Sequence, residues 1–255
     1  MDRDPVGKAL TVLLALADRP TAPWSVRQFA RELDTSPATI HRIFSTFETR
    51  DLLARDDDGA YRPGAGLFRL CRAVQDNLSP VGLAHRHLEA LARDSGEAAL
   101  FGAYEPTRHE MMFVDVVQST HPLHYDVGVY RWIPVHAGAT GLAILAFLPE
   151  AERAEVYRHG LPSVTAATLT SEEAVERECA RIRERGYAIS AGQRLGGAVG
   201  IAAPVFEGPG RVLGDIAVTV PDQRFEPSWE EPLAEAVLAT ASRVGEELQR
   251  GDDRG

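Results

Sequence analysis

Between positions 25 and 63 the chain carries punctuation that few folds can satisfy. Ser36 reads as a helix N-cap, and Pro37 follows at the first helical position, where its missing N–H costs nothing. Ile40, Phe44 and Phe47 then recur at i, i+4 and i+7 with Ile43 beside them, so that stripe faces inward. The opposite face presents Thr39, His41, Arg42, Ser45 and Thr46. A shorter helix precedes it: Ser25 and Gln28 have capping-box spacing, and Phe29, Ala30 and Leu33 form its apolar stripe. Asp34-Thr35 makes the tight turn between the two. Upstream, residues 6–17 are apolar with a helical period, and Arg19-Pro20 ends that helix. Downstream, Leu52 to Arg55 and Ala60-Tyr61-Arg62 flank Asp56-Asp57-Asp58-Gly59, a hairpin signal. Helices, tight turn and hairpin in this order predict a winged helix-turn-helix.

Residues 65–77 read as an amphipathic helix with Leu67, Leu70, Cys71, Val74 and Leu78 on one side. Ser79-Pro80 interrupts it, and a new helix runs to Asp94-Ser95-Gly96. Beyond that the character changes. Residues 98–104, 111–117, 124–127, 188–191, 199–206 and 212–220 read as strands. Residues 140–147, 149–159 and 229–249 read as helices, and a further helix opens on a Thr170/Glu173 capping box and stops at Gly186. Strands in runs with helices around them predict an α+β domain with an antiparallel sheet. The expected organisation is therefore a winged helix-turn-helix domain over residues 1–63, a linker helix over 64–79 and an α+β domain over 80–250.

Charge is distributed unevenly. The net formal charge is −10, yet residues 1–78 hold 11 basic and 11 acidic side chains, leaving 16 basic and 26 acidic in the remainder. A neutral first domain can touch phosphates through clustered arginines, while an acidic second domain is repelled by them. Cys71 and Cys179 lack CxxC spacing, which argues for a reducing compartment and against a structural zinc. The opening residues carry Asp2 and Asp4, and their apolar run stops at Ala17, unlike a secretory leader or a membrane span. A cytoplasmic protein with no membrane partner is expected.

Three stretches together resemble the IclR-type bacterial regulators. SVRQFARELDTSPATIHRIFSTFETRDLLARDDDGAYRPG is similar to that family's DNA-binding domain. WIPVHAGATGLAILAF and GYAISAGQRLGGAVGIAAPVF with GRVLGDIAVTVPDQRF are similar to its effector domain. The resemblance implies a GAF-like effector fold, a homodimer formed through the DNA-binding domains, and in many members a tetramer. It also implies a transcriptional regulator of a double-stranded operator, a repressor more often than an activator, whose binding a small organic acid or aromatic metabolite alters.

In a helix-turn-helix the front of the second helix enters the major groove, where base edges are distinguishable. The candidates there are Ser36, Pro37, Thr39, His41 and Arg42, with Arg42 suited to a guanine edge or a phosphate. Arg27, Arg55, Tyr61 and Arg62 are the flanking candidates, since the aspartates of the wing tip repel phosphate. For the effector, the resemblance points to Ala139, Thr140, Gly141, Ser190, Gly200, Ala217 and Thr219, with Tyr125 and Val127 as walls. Relatives that sense small keto acids carry more polar or larger groups where Ser190, Gly200 and Ala217 stand. A roomier, less polar pocket is therefore expected.

The enzyme alternative, a hydrolase using the same pocket, finds little support. Neither GxSxG nor HExxH occurs, and His85 and His87 do not share a helix face. His121, His124 and His136 with Asp115 or Asp126 are the remaining cluster to test. GQRLGGAVG precedes a strand, so it does not match a dinucleotide fingerprint. No catalytic residue, metal ligand or cofactor is assigned.

Overall fold

The computed structural model describes residues 4–17, 23–77 and 79–252. The chain divides into two compact units, Met1–Asn77 and Leu78–Gly255.

The first unit holds α1 (Pro5–Ala17), α2 (Val26–Glu32), α3 (Pro37–Glu48), the hairpin β1 (Leu53–Arg55) and β2 (Tyr61–Pro63), and α4 (Ala65–Asn77). The caps work as their residue types dictate: Ser25 accepts from the Gln28 amide and Ser36 from the Thr39 amide, both at 3.2 Å. Phe29, Ile40, Phe44, Phe47 and Tyr61 close the core with Val12 and Leu16 from α1. The Arg19-Pro20 stop lies outside the described residues. On α4 the expected apolar face is open: Leu70 and Cys71 are exposed, as is Phe68. Leu78 and the Val74 side chain lie outside the described residues.

The second unit is a six-stranded antiparallel sheet ordered β5-β4-β3-β8-β7-β6. Its strands are β3 (Ala98–Glu105), β4 (Glu110–Val117), β5 (Ile133–Pro134), β6 (Ala188–Ala191), β7 (Ala198–Gly208) and β8 (Arg211–Pro221). One face packs against α5 (Ser79–Ser95) and α9 (Glu230–Asp252) through Ile201, Ile216, Val218 and Val237. The other packs against α6 (Gly138–Leu145), α7 (Glu150–Arg158) and α8 (Glu172–Arg185) through Leu100, Met111, Leu142 and Cys179. Because both faces are covered, β7 and β8 are nearly continuous in burial. Among the described residues no helix is long and apolar enough to cross a membrane.

Two local expectations fail. Residues 124–127 are not a strand. Their neighbourhood is held by side chains instead: Gln118 donates to Asp126 and to the Val127 carbonyl, Tyr125 donates to the Gly196 carbonyl, and Arg224 to the Leu123 carbonyl. The cap of α8 is Ser171, which accepts from the Ala174 amide at 3.3 Å, and not Thr170. Glu173 consequently sits in the first turn, paired with Arg177 and favourable to the helix dipole.

Candidate nucleic-acid interface and ligand cavity

On the first unit, α3 turns Ile40, Ile43, Phe44 and Phe47 inward and leaves His41 and Arg42 exposed, with Thr39 half-buried. Ser36 is engaged locally, its hydroxyl 2.9 Å from that of Thr39. Arg27, Pro37, His41, Arg55, Asp58 and Ala60 line a groove between the front of α2 and α3 and the wing. Arg55 folds back along its own turn, with Nε donating to the Gly59 carbonyl at 3.2 Å. Gly59 takes φ +82 there, a left-handed conformation suited to glycine. Among the described residues the guanidinium groups of Arg27, Arg42 and Arg62 carry no hydrogen bond or ion pair, and all three residues are exposed.

Tyr61 closes the back of that groove and does not stand on its open surface. It is 1% exposed, its ring lies edge-to-face on Phe44 at 4.8 Å, and its backbone pairs with Trp24. In a three-residue strand the inward position falls on Tyr61 and the outward one on Arg62, which is exposed. The DNA-facing assignment of Tyr61 is corrected to a core role.

In the second unit, a cavity of about 290 Å³, counting its open mouth, lies between the first turn of α6 and the sheet. Its floor is one cross-strand row: Ser190 opposite Gly200, and Gly200 opposite Thr219. Ala139 and Thr140 of α6 form the roof. Five of the nine expected effector residues thus meet here. Gly141 does not, because its backbone abuts the Val135 carbonyl so closely that a Cβ would lie 2.3 Å from the oxygen. Ala217 lies one row deeper, opposite Ala202 in the apolar core, and Val127 is packed in the same core. Tyr125 reaches the Gly196 carbonyl at 3.1 Å without lining the cavity.

The cavity is more polar than expected, because the turn between β6 and β7 contributes Gln193 and Arg194. Thr140 Oγ1 and Gln193 Oε1 are buried and, among the described residues, have no hydrogen-bond partner. Ser190 accepts the Ala139 amide at 2.7 Å, occupying one of the free N–H groups at the front of α6. Arg194 runs beneath α6, with its guanidinium over the Phe113 ring at 4.9 Å. Burial weakens its hold on the proton, and the nearby Asp215 opposes that shift. Asp215 is fully buried and neither carboxyl oxygen has a hydrogen-bond partner among the described residues. Burial lifts its pKa well above the usual carboxylate range, and the Arg194 charge only partly offsets this. Gln193, Arg194 and Asp215 were all missed from sequence, although a charged residue in a strand covered on both faces is a readable anomaly.

Among the described residues the side chains of His121, His124 and His136 form no cluster with Asp115 or Asp126. His85 contacts Asp115 at 2.9 Å, His124 sits on the His121 carbonyl, and buried His136 on the Pro162 carbonyl.

A family model described as the IclR helix-turn-helix domain matches residues 5–57, and one described as the bacterial transcriptional regulator IclR C-terminal matches residues 73–246. The chain is 27% identical over 212 residues to the HTH-type transcriptional regulator KipR of Bacillus subtilis, covering 81% of this chain and 84% of that one. It is 24% identical to the transcriptional repressor IclR of Escherichia coli, covering 86% and 81%. A crystal structure of an IclR homolog complexed with 4-hydroxybenzoate, from Microbacterium hydrocarbonoxydans, has the same fold. It superimposes with a TM-score of 0.85 over 97% of this chain and 100% of that one, at 24% identity.

Proposed function

This chain belongs to the IclR family of bacterial transcriptional regulators, and from that premise we propose that it is a cytoplasmic repressor whose operator binding responds to a small organic acid. The observation that carries the DNA half is α3, capped at Ser36, apolar inward, with His41 and Arg42 on its open face beside unpaired Arg27 and Arg62. Arg42 reads a base edge or anchors a phosphate, and Arg27 and Arg62 neutralise phosphates. Each phosphate neutralised adds roughly 0.9 to the salt slope of binding.

Repression fits a homodimer on a pseudo-palindromic operator, with a dimer of dimers as the larger assembly. Supporting this, α1 leaves Val6, Leu10 and Leu14 exposed at i, i+4 and i+8, and α4 leaves Phe68 and Leu70 exposed. A second copy would cover such surface. The chain acts by binding and not by catalysis.

The effector reading rests on the cavity. An acid placed there meets Arg194, the cation among the lining residues, with the Thr140 hydroxyl free to donate to its carboxylate and Gln193 Oε1 free to accept from a hydroxyl of the acid. The IclR homolog of Microbacterium hydrocarbonoxydans was crystallised in complex with 4-hydroxybenzoate, an organic acid. Bound acid changes the operator affinity of the heads through α4, the helix that ends the first unit. A gel shift on DNA upstream of its own gene, titrated with a panel of two- to seven-carbon acids, tests both halves. Release of DNA by at least one acid is expected; binding that no acid alters would contradict the sensing half.

A further inference from the structure

We infer that His109, Glu155 and His159 form a binding site for a zinc-class divalent cation, joining the β3–β4 turn to the end of α7. One ring nitrogen from each histidine and one Glu155 carboxylate oxygen all lie within 4.8 Å of one another. The set comes from two elements 46 positions apart in sequence, so no spacing motif announces it. It is independent of the effector cavity. The floor residue Thr219 pairs with Ala98 at the start of β3, whereas His109 stands in the turn after the end of that strand.

Each donor is held in place. Glu155 and His159 are i, i+4 on one face of α7. That helix is fixed to α8 by Arg153 and Tyr157, which donate to the Glu176 carboxylate at 2.8 and 2.7 Å. His159 Nδ1 lies 2.8 Å from the Glu155 carbonyl oxygen. A carbonyl can only accept, so neutral His159 carries its proton on Nδ1 and keeps the Nε2 lone pair for a metal. This backbone bond is the orienting contact that metal-bound histidines use. His109 takes φ +55, a left-handed conformation that is strained for a side-chain-bearing residue. The turn sets it there: the His109 amide donates to the Glu105 carbonyl, and the Glu105 carboxylate accepts from Thr107. The result is an imidazole 4.9 Å from that of His159, with a buried Nδ1 that has no partner among the described residues.

Two imidazoles and one carboxylate suit zinc, cobalt(II) or nickel(II), with water completing the shell; magnesium and calcium prefer all-oxygen sets. Zinc holds each donor at about 2.0–2.2 Å, so the three side chains close inward on binding. The competing interaction is the Glu155–Arg158 ion pair, in which the arginine is exposed. Such solvent-screened surface pairs contribute little.

The test is calorimetric titration of ZnCl2 into the full-length, untagged, chelator-treated protein. One site per chain with micromolar or tighter affinity is expected, and MgCl2 in excess should not compete. Glu155→Gln and His159→Gln should each weaken it at least tenfold, while His124→Gln should not. Cobalt(II) should give the intense visible absorption of a four-coordinate site, lost in both variants. Circular dichroism confirms that the variants fold, and His109→Gln supplies a third that leaves α7 untouched. Absence of a micromolar site in the wild type, or the same affinity in the folded His159→Gln and His109→Gln proteins, would overturn the assignment.

Discussion

The Ser190 hydroxyl accepts a hydrogen bond from the Ala139 amide at 2.7 Å, tying the third position of β6 to the first turn of α6. Ala137, the N-cap of α6, has no side-chain cap bond, so Ser190 serves as a cap supplied from another strand. Replacing it by alanine leaves a buried amide unsatisfied. Ser190→Ala should lower stability by about 1–3 kcal/mol, read as a shift of the urea midpoint. An unchanged midpoint would show that the bond contributes nothing net.

Arg194 is the cation nearest the cavity, and an acid effector should depend on it. Arg194→Gln should lose at least tenfold in affinity for the acid that releases DNA. The corresponding neutral amide should bind both proteins weakly and equally. Isothermal titration of acid and amide against both proteins measures this. Equal acid affinity in the variant would place the anion elsewhere.

Asp215 sets a pH dependence whose sign is fixed by its burial. Its folded pKa is raised well above the ordinary value, against about 3.9 in the unfolded chain. Its contribution is therefore fully present below about pH 3.9 and is lost as pH rises through the folded pKa. Asp215→Asn removes that loss. Relative to the wild type the variant should gain stability between pH 4 and 8, at no more than about 1.4 kcal/mol per pH unit. Parallel denaturation curves across this range would contradict the account.

Glu97 is 1% exposed and receives two bonds from Arg224, at 2.6 and 3.2 Å, just before β3 begins. Burial raises the Glu97 pKa, and Arg224 opposes the rise without cancelling it. Arg224→Ala strands a buried carboxylate and should cost about 3–5 kcal/mol. Glu97→Gln in the same background should recover part of the loss. A cost below about 1 kcal/mol would mean that water reaches Glu97.

The winged helix was legible because its signals are local: Ser25 and Ser36 cap within three residues, and the α3 stripe follows one period. Tyr61 was misread because a three-residue strand gives too few positions to decide which of Tyr61 and Arg62 faces inward. In the sensing unit, period two along β8 separated Thr219 from its neighbours. It could not show that Ala217 lies one row too deep, since depth depends on the register with β7. Gln193 and Arg194 sit on a turn, where no period exists. Residues 124–127 alternate as a strand does, yet the Val127 carbonyl is taken by Gln118 and the carbonyl of the preceding Leu123 by Arg224, both from other segments. The His109 cluster escaped for the same reason: its partners meet only through the fold.

The central claim is that α3 reads DNA, and fluorescence anisotropy on the upstream duplex from 50 to 300 mM salt tests it most directly. The account predicts affinity that falls linearly on a log–log salt plot. Arg62→Ala should make that slope shallower by about 0.9. Arg42→Ala should lose the preference for the specific duplex over a scrambled one, worth about 1–3 kcal/mol for a bidentate base contact. Binding that ignores salt, or an Arg42→Ala protein that discriminates as well as the wild type, would contradict it.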